Sequence, residues 1–162
     1  MGIGDGVKDG DVFQIDLDTG RHAFGIVAAG GEHAFFDVLA EIVPRLEEIA
    51  GARVAFRVWG PADAIRSGRW RVIGNVPLAG KLAEPSAYRN QPVGSNQLYL
   101  YRAGVLTPAT LDEVKDLELA AWWDADSIEQ RLKDHFAGRA NVTAEYFKRI
   151  KKYDPRTRQE IK

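Results

Sequence analysis

"DVFQIDLDTGRHAFGIVAA", residues 11–29, decides the fold. Two apolar-rich runs, Val12–Leu17 and Arg21–Ala28, flank Asp18-Thr19-Gly20, a triplet with turn chemistry. Runs joined so tightly pair as an antiparallel hairpin, because a parallel pair needs a crossover of a dozen residues or more.

The neighbouring segments extend the sheet. "HAFFDVL" (33–39) reads as a third strand, although Leu39, Ile42, Val43, Leu46 and Ile49 also fit a helical stripe, and Pro44 suits the first turn of a short helix. "ARVAFRVWG" (52–60) alternates as a strand does, and "PADAIRSG" (61–68) makes a helical turn. In "RWRVIGNVPLAG" (69–80), Trp70 and Val72 alternate with Arg69 and Arg71 in the period of a half-buried strand. Gly74-Asn75 offers the positive φ angles of a turn, and Pro77 lacks a ladder donor, so that strand is expected to stop there. Residues 78–96 read as a long loop, "QLYLYRAG" (97–104) as a strand, and "TPATLDEVKDL" (107–117) as a short helix opening at Pro108. "ELAAWW" (118–123) reads as a strand.

The last third is helical. Asp124 serves as N-cap, Trp123 and Ile128 occupy hydrophobic-staple positions, and Ile128, Leu132 and Phe136 form a stripe that Gly138 ends. A second helix starts near Thr143, carries Phe147, Ile150 and Tyr153 on one side, and stops at Asp154-Pro155. The expected architecture is a single α+β domain over residues 1–155, a strongly bent antiparallel sheet of about six strands with C-terminal helices packed against it. Residues 156–162 form a frayed tail in this reading.

Composition narrows the chemistry. A chain of 162 residues buries about 70% of its unfolded surface and needs no staple. It has no cysteine, which excludes disulfides, thiolate metal sites and cysteine nucleophiles. No apolar run is long enough to span a bilayer, and "MGIGDGVKDGD" lacks the regions of a signal peptide, so a cytoplasmic location is expected. The net charge of -1 conceals blocks: -7 over residues 1–50, +6 over 51–110, -5 over 111–137 and +5 over 138–162. Such blocks either offset one another by packing or meet charged partners.

Few residue patterns point to catalysis. The glycines of "GIGDG" precede every strand, whereas a dinucleotide fingerprint follows one, so the start reads as disordered. "DLDTG" opens like a calcium loop but puts Gly20 and Val27 at ligand positions. His22, His33 and His135 lack metal-pair spacing, although His22 and His33 lie on adjoining strands where they can converge with Asp37. Ser67, Ser86, Ser95 and Ser127 show no nucleophile elbow. Asp16 with Asp18, and Asp124 with Asp126, have turn and cap explanations. Arg53, Arg57, Arg69 and Arg71 alternate on strands, but with a net charge of -1 a nucleic-acid role ranks behind the others. No catalytic, cofactor or metal residue is assigned. Of Trp59, Trp70, Trp122 and Trp123, one of the adjacent pair points away from the core if its strand persists.

"GDVFQIDLDTGRHAFGIV" (10–27), with Trp70 and "IGNVPL" (73–78), resembles the immunity protein 26 family of bacterial polymorphic toxin systems, which is grouped with the HocA-type phosphotriesterases. Gly10, Asp11, Phe13, Gly25, Trp70, Ile73, Gly74, Pro77 and Leu78 carry the resemblance, which covers roughly the first half of the chain. It implies a cytoplasmic protein that binds and neutralises a cognate protein toxin and, more weakly, organophosphate triester hydrolysis. Hydrolysis of that kind wants a metal-activated water or a strong nucleophile, and the chain supplies neither pattern. A binding protein needs only a complementary surface, about 800 Å² per partner. Its expected place is the acidic segment 111–129, with Asp112, Glu113, Asp116 and Glu118 beside Trp122 and Trp123. No cofactor, membrane or nucleic acid enters this reading, and the oligomeric state stays open.

Overall fold

The computed structural model describes residues 6–18 and 20–162. Most of the glycine-rich start and Thr19 of the first turn lie outside the described residues. The fold is α+β, with eight strands in two open antiparallel sheets and five α-helices among the described residues. Two compact units emerge, one from the chain up to Pro85 together with Ala121–Asn141, the other from Ser86–Ala120 with Val142–Lys162. The chain passes between them three times, so no linker composition marks a boundary.

The first unit holds a five-stranded sheet in the order β4-β3-β2-β1-β5, formed by β1 (Asp11–Asp16), β2 (His22–Val27), β3 (His33–Phe36), β4 (Val54–Val58) and β5 (Arg71–Asn75). The expected hairpin is there, pairing Val12 with Ile26 and Asp16 with His22. Both faces of this sheet are covered, so β1 is buried from Asp11 through Ile15 without alternation. On one face Val12, Phe24, Ile26, Ala34 and Phe36 pack with Ile49 of α1 (Leu46–Ala50), which begins just after Pro44.

On the other face Phe13 stacks on Trp70 at 5.4 Å, while Phe35 stacks on Phe56 at 4.9 Å and meets Trp70 edge-on at 5.8 Å. Gly25 pairs with both Phe13 and Phe35, and a Cβ there would lie 2.5 Å from the Phe13 ring and 2.9 Å from the Ala34 carbonyl. Glycine is therefore required by the rings on either side. Helix α4 (Ala125–Phe136) lies over this aromatic face. Trp70 Nε1 donates to Glu129 Oε2 at 2.9 Å, and the Arg131 guanidinium sits 4.0 Å over the Phe56 ring.

Two bulges bend the outer strands. Val12 pairs with Gly74 but Phe13 pairs with Val72, which skips Ile73, and the β3/β4 register shifts likewise between Phe35 and Phe36. The strand in "RWRVIGNVPLAG" thus runs through Gly74-Asn75 instead of turning there, and Gly74 does not adopt a positive φ. Its missing side chain serves packing, since a Cβ would come within 2.7 Å of Leu46. Val72 is 42% exposed, because β5 is the edge strand, whereas Trp70 is fully buried. Helix α2 (Ala62–Arg66) is the expected helical turn, and it fixes Trp70 by accepting its N–H at Ala64 O, 2.9 Å.

The second unit holds a three-stranded sheet, β6 (Tyr88–Asn90), β7 (Leu98–Arg102) and β8 (Val105–Ala109), with α3 (Leu111–Val114) and α5 (Val142–Lys148). Three sequence expectations are corrected here and at its margin. The loop over 78–96 contains β6 and a 3-10 turn at Gly80–Ala83. Pro108 lies inside the edge strand β8, so α3 starts after the Thr110 cap. "ELAAWW" makes two isolated parallel bridges, Arg89 to Leu119 and Trp59 to Trp122, in place of a strand.

Helix α5 ends before Ile150 and Tyr153. The segment that follows is held instead by side chains of the former loop. Gln91 exchanges hydrogen bonds with the backbone of Lys151, and Asn96 does so with that of Tyr153. Tyr153 then bridges to Glu160, and Asp154 accepts from the backbone of Arg156 and Thr157, so 156–162 carries main-chain pairing.

Candidate partner-binding surface

The four acids expected at a partner surface all belong to the second unit. Thr110 caps α3, and Glu113 returns the bond by accepting from Thr110 N at 2.9 Å and Thr110 Oγ1 at 3.0 Å. These bonds hold the Glu113 carboxyl below its ordinary range. Asp112 pairs with Lys115 at 3.5 Å on an exposed turn, where such a pair is weak. Asp116 is exposed and has no partner among the described residues. Glu118 is half-buried, receives the Arg89 N–H on its backbone oxygen at 2.8 Å, and its charge supports that of Arg89.

Asp116 and Glu118 flank a cleft of about 270 Å³ with an apolar side made by Leu117, Leu119, Ala144 and Phe147. Its cations are engaged elsewhere, Lys115 with Asp112 and Lys148 with Glu145 at 3.4 Å. Asp116 consequently adds a negative charge that no cation among the described residues offsets.

The two tryptophans belong to the first unit and divide. Trp123 is 3% exposed, fills the staple position ahead of buried Ile128, and lies under the Arg131 guanidinium at 4.9 Å. Trp122 is 72% exposed, its ring tilted against Trp59 at 5.8 Å. The backbone bond from Trp123 N to Trp59 O fixes this opposition of faces. Trp122 is thus the surface aromatic of the pair, and Trp123 belongs to the core.

The remaining acids of segment 111–129 are consumed internally. Asp124 caps α4 through Ser127 N at 2.7 Å, which lowers its carboxyl pKa. Asp126 and Glu129 grip Arg69 at 2.5 and 2.9 Å, and together these carboxylates push the guanidinium pKa upward.

The histidines and Asp37 go to separate partners. His22 Nδ1 is 2.7 Å from Asp16, His135 Nε2 is 2.8 Å from Asp37, and buried His33 accepts the Gly60 N–H at 3.0 Å. Among the described residues no three His, Asp or Glu side chains gather as a metal site. Of the four arginines expected on strands, Arg53 and Arg69 lie just outside β4 and β5, and all are individually engaged. Arg57 forms an ion pair of 2.7 Å with buried Glu32, Arg71 donates to Gln14, and Arg53 lies 3.7 Å from Asp37. No helix among the described residues is long and apolar enough to cross a membrane.

Comparison with known families gives a match. The family model described as immunity protein 26 covers residues 8–97, more than half of the chain. No curated protein and no solved structure matches it. The matched stretch holds the whole five-stranded sheet and β6, and it ends before α3 and Trp122.

Proposed function

The chain belongs to the immunity protein 26 family, and from that membership we propose that it binds and neutralises a cognate toxin of a polymorphic toxin system in the bacterial cytoplasm. The family match is the observation that carries this reading. Nothing in the geometry favours triester hydrolysis as a second one.

The acidic surface of the second unit supplies the recognition chemistry. Asp116, Asp112 and Glu118 present carboxylates beside an apolar cleft, which suits a toxin whose own site is basic, as a site acting on nucleic acid would be. Glu113 contributes its field while capping α3. Trp122, on the first unit, is an anchor of the kind that dominates binding energy once desolvated. Trp123 acts from inside by holding the backbone that displays it.

Co-expression with the toxin of the same polymorphic system tests the proposal. The wild-type chain should restore growth. Asp112→Lys with Asp116→Lys should lose protection while melting normally, and Arg156→Glu with Arg158→Glu should protect fully. Loss of protection in the tail pair alone would assign the surface elsewhere, and no protection by the folded wild-type chain would refute the function.

A further inference from the structure

Arg89 is 1% exposed, yet among the described residues its guanidinium donates only to backbone carbonyls, Leu117 O at 3.1 Å and Phe147 O. Two neutral acceptors leave most of its five N–H groups and its full charge to be satisfied otherwise. Burial disfavours its charge and lowers its pKa, and the charge of Glu118 opposes that shift.

Arg89 lines a cavity of about 190 Å³ together with Leu119, Tyr146, Arg149, Lys151 and Tyr153. Lys151 pairs with no carboxylate among the described residues, and its ammonium rests 5.7 Å over the Tyr146 ring. Arg149 lies over the same ring at 5.7 Å and shares its charge with Glu160 at 3.2 Å. Three cations therefore converge on one aromatic-walled space with two carboxylates to balance them. Gln91 holds the Lys151 backbone from both sides, so this wall is built before any ligand arrives.

We propose that this cavity is an anchor pocket for a carboxylate side chain, aspartate or glutamate, of the protein partner. Size decides the class. Pockets for whole small-molecule ligands run from about 300 to 1,000 Å³, and this one fits a single side chain. The lining arginine and lysine side chains give charge-assisted bonds to the carboxylate oxygens, and the tyrosines and Leu119 flank its methylene stem. The proposal rests on the toxin-binding reading and adds that the partner carries an acidic side chain as well as a basic site.

The test titrates the labelled full chain with N-acetylglutamate N-methylamide, its glutamine analogue and inorganic phosphate, following backbone amides by NMR. The glutamate probe alone should give saturable shifts at Gln91, Tyr146 and Lys151, with binding about tenfold weaker in Lys151→Gln and in Arg149→Gln. Toxin affinity should fall at least about tenfold in the same variants with the melting temperature unchanged. No shifts, equal shifts from the glutamine analogue, or shifts from phosphate alone overturn the pocket. Probe binding with toxin affinity unaltered in both variants overturns its occupant. A wild-type chain that binds the probe but no toxin refutes the neutralisation reading and leaves a carboxylate pocket standing.

Discussion

His33 shows how far a single residue can be read. Its position on a strand is visible, but its environment is not: it is 2% exposed, edge-on to Phe13 at 5.9 Å, with Nδ1 accepting from Gly60 and Nε2 lacking an acceptor among the described residues. Burial pushes its pKa down to about 4 from an ordinary 6.5. The unfolded chain therefore binds this proton first as pH falls, and the stability held above about 6.5 is lost toward about 4. Denaturant titrations should show wild type losing about 2 kcal/mol more than His33→Gln between about pH 7.5 and pH 5. Equal losses would mean the native state accommodates the charge. The shared motif residues act through packing as well. Trp70→Ala should cost about 3–5 kcal/mol and Gly25→Ala about 3 kcal/mol, the first by a cavity, the second by forcing the Phe13 ring and the Ala34 carbonyl apart. Either variant melting like wild type but losing toxin binding would mark a contact residue in place of a framework one.

Elements were legible where pattern and local chemistry agreed. Asp124, Trp123, Ile128 and Gly138 announce both ends of α4, and the hairpin of β1 and β2 announces its own turn. Legibility failed where tertiary contacts replaced local signals. Gly74 looks like a turn but is a strand residue cleared for Leu46, and the long loop conceals β6 because Tyr88–Asn90 is too short to show a period. Gln91 and Asn96 pin the chain sixty positions further on, which no spacing rule reveals. The acids of the candidate surface were visible as composition, but which of them were already engaged was not, since Arg69 reaches Asp126 and Glu129 from the bend that precedes β5. At this scale Asp124→Ala should cost about 1 kcal/mol as a lost N-cap. Asp134→Ala should cost more, about 3 kcal/mol, because its buried carboxylate ties Gln130, Arg139 and Asn141 to the end of α4. Chemical denaturation checks the ranking, and the reverse order would mean the C-terminal network is dispensable.

At the scale of the whole molecule, charge is distributed so that the acidic surface is local. The second unit carries 10 basic and 7 acidic residues, with four of those acids between Asp112 and Glu118. A basic partner is then steered by a patch and not by net charge, so association should slow with salt. Stopped-flow mixing should show Asp112→Lys with Asp116→Lys associating roughly tenfold more slowly at low salt, with a flattened salt dependence. An unchanged rate would remove these acids from the encounter. The proposed function requires, more directly, that the folded chain form a complex with a toxin. Titration calorimetry of the purified chain into the toxin of the same polymorphic system measures this in one step. A stoichiometric complex with nanomolar affinity is the predicted result, and the absence of binding between a folded chain and an active toxin would contradict it.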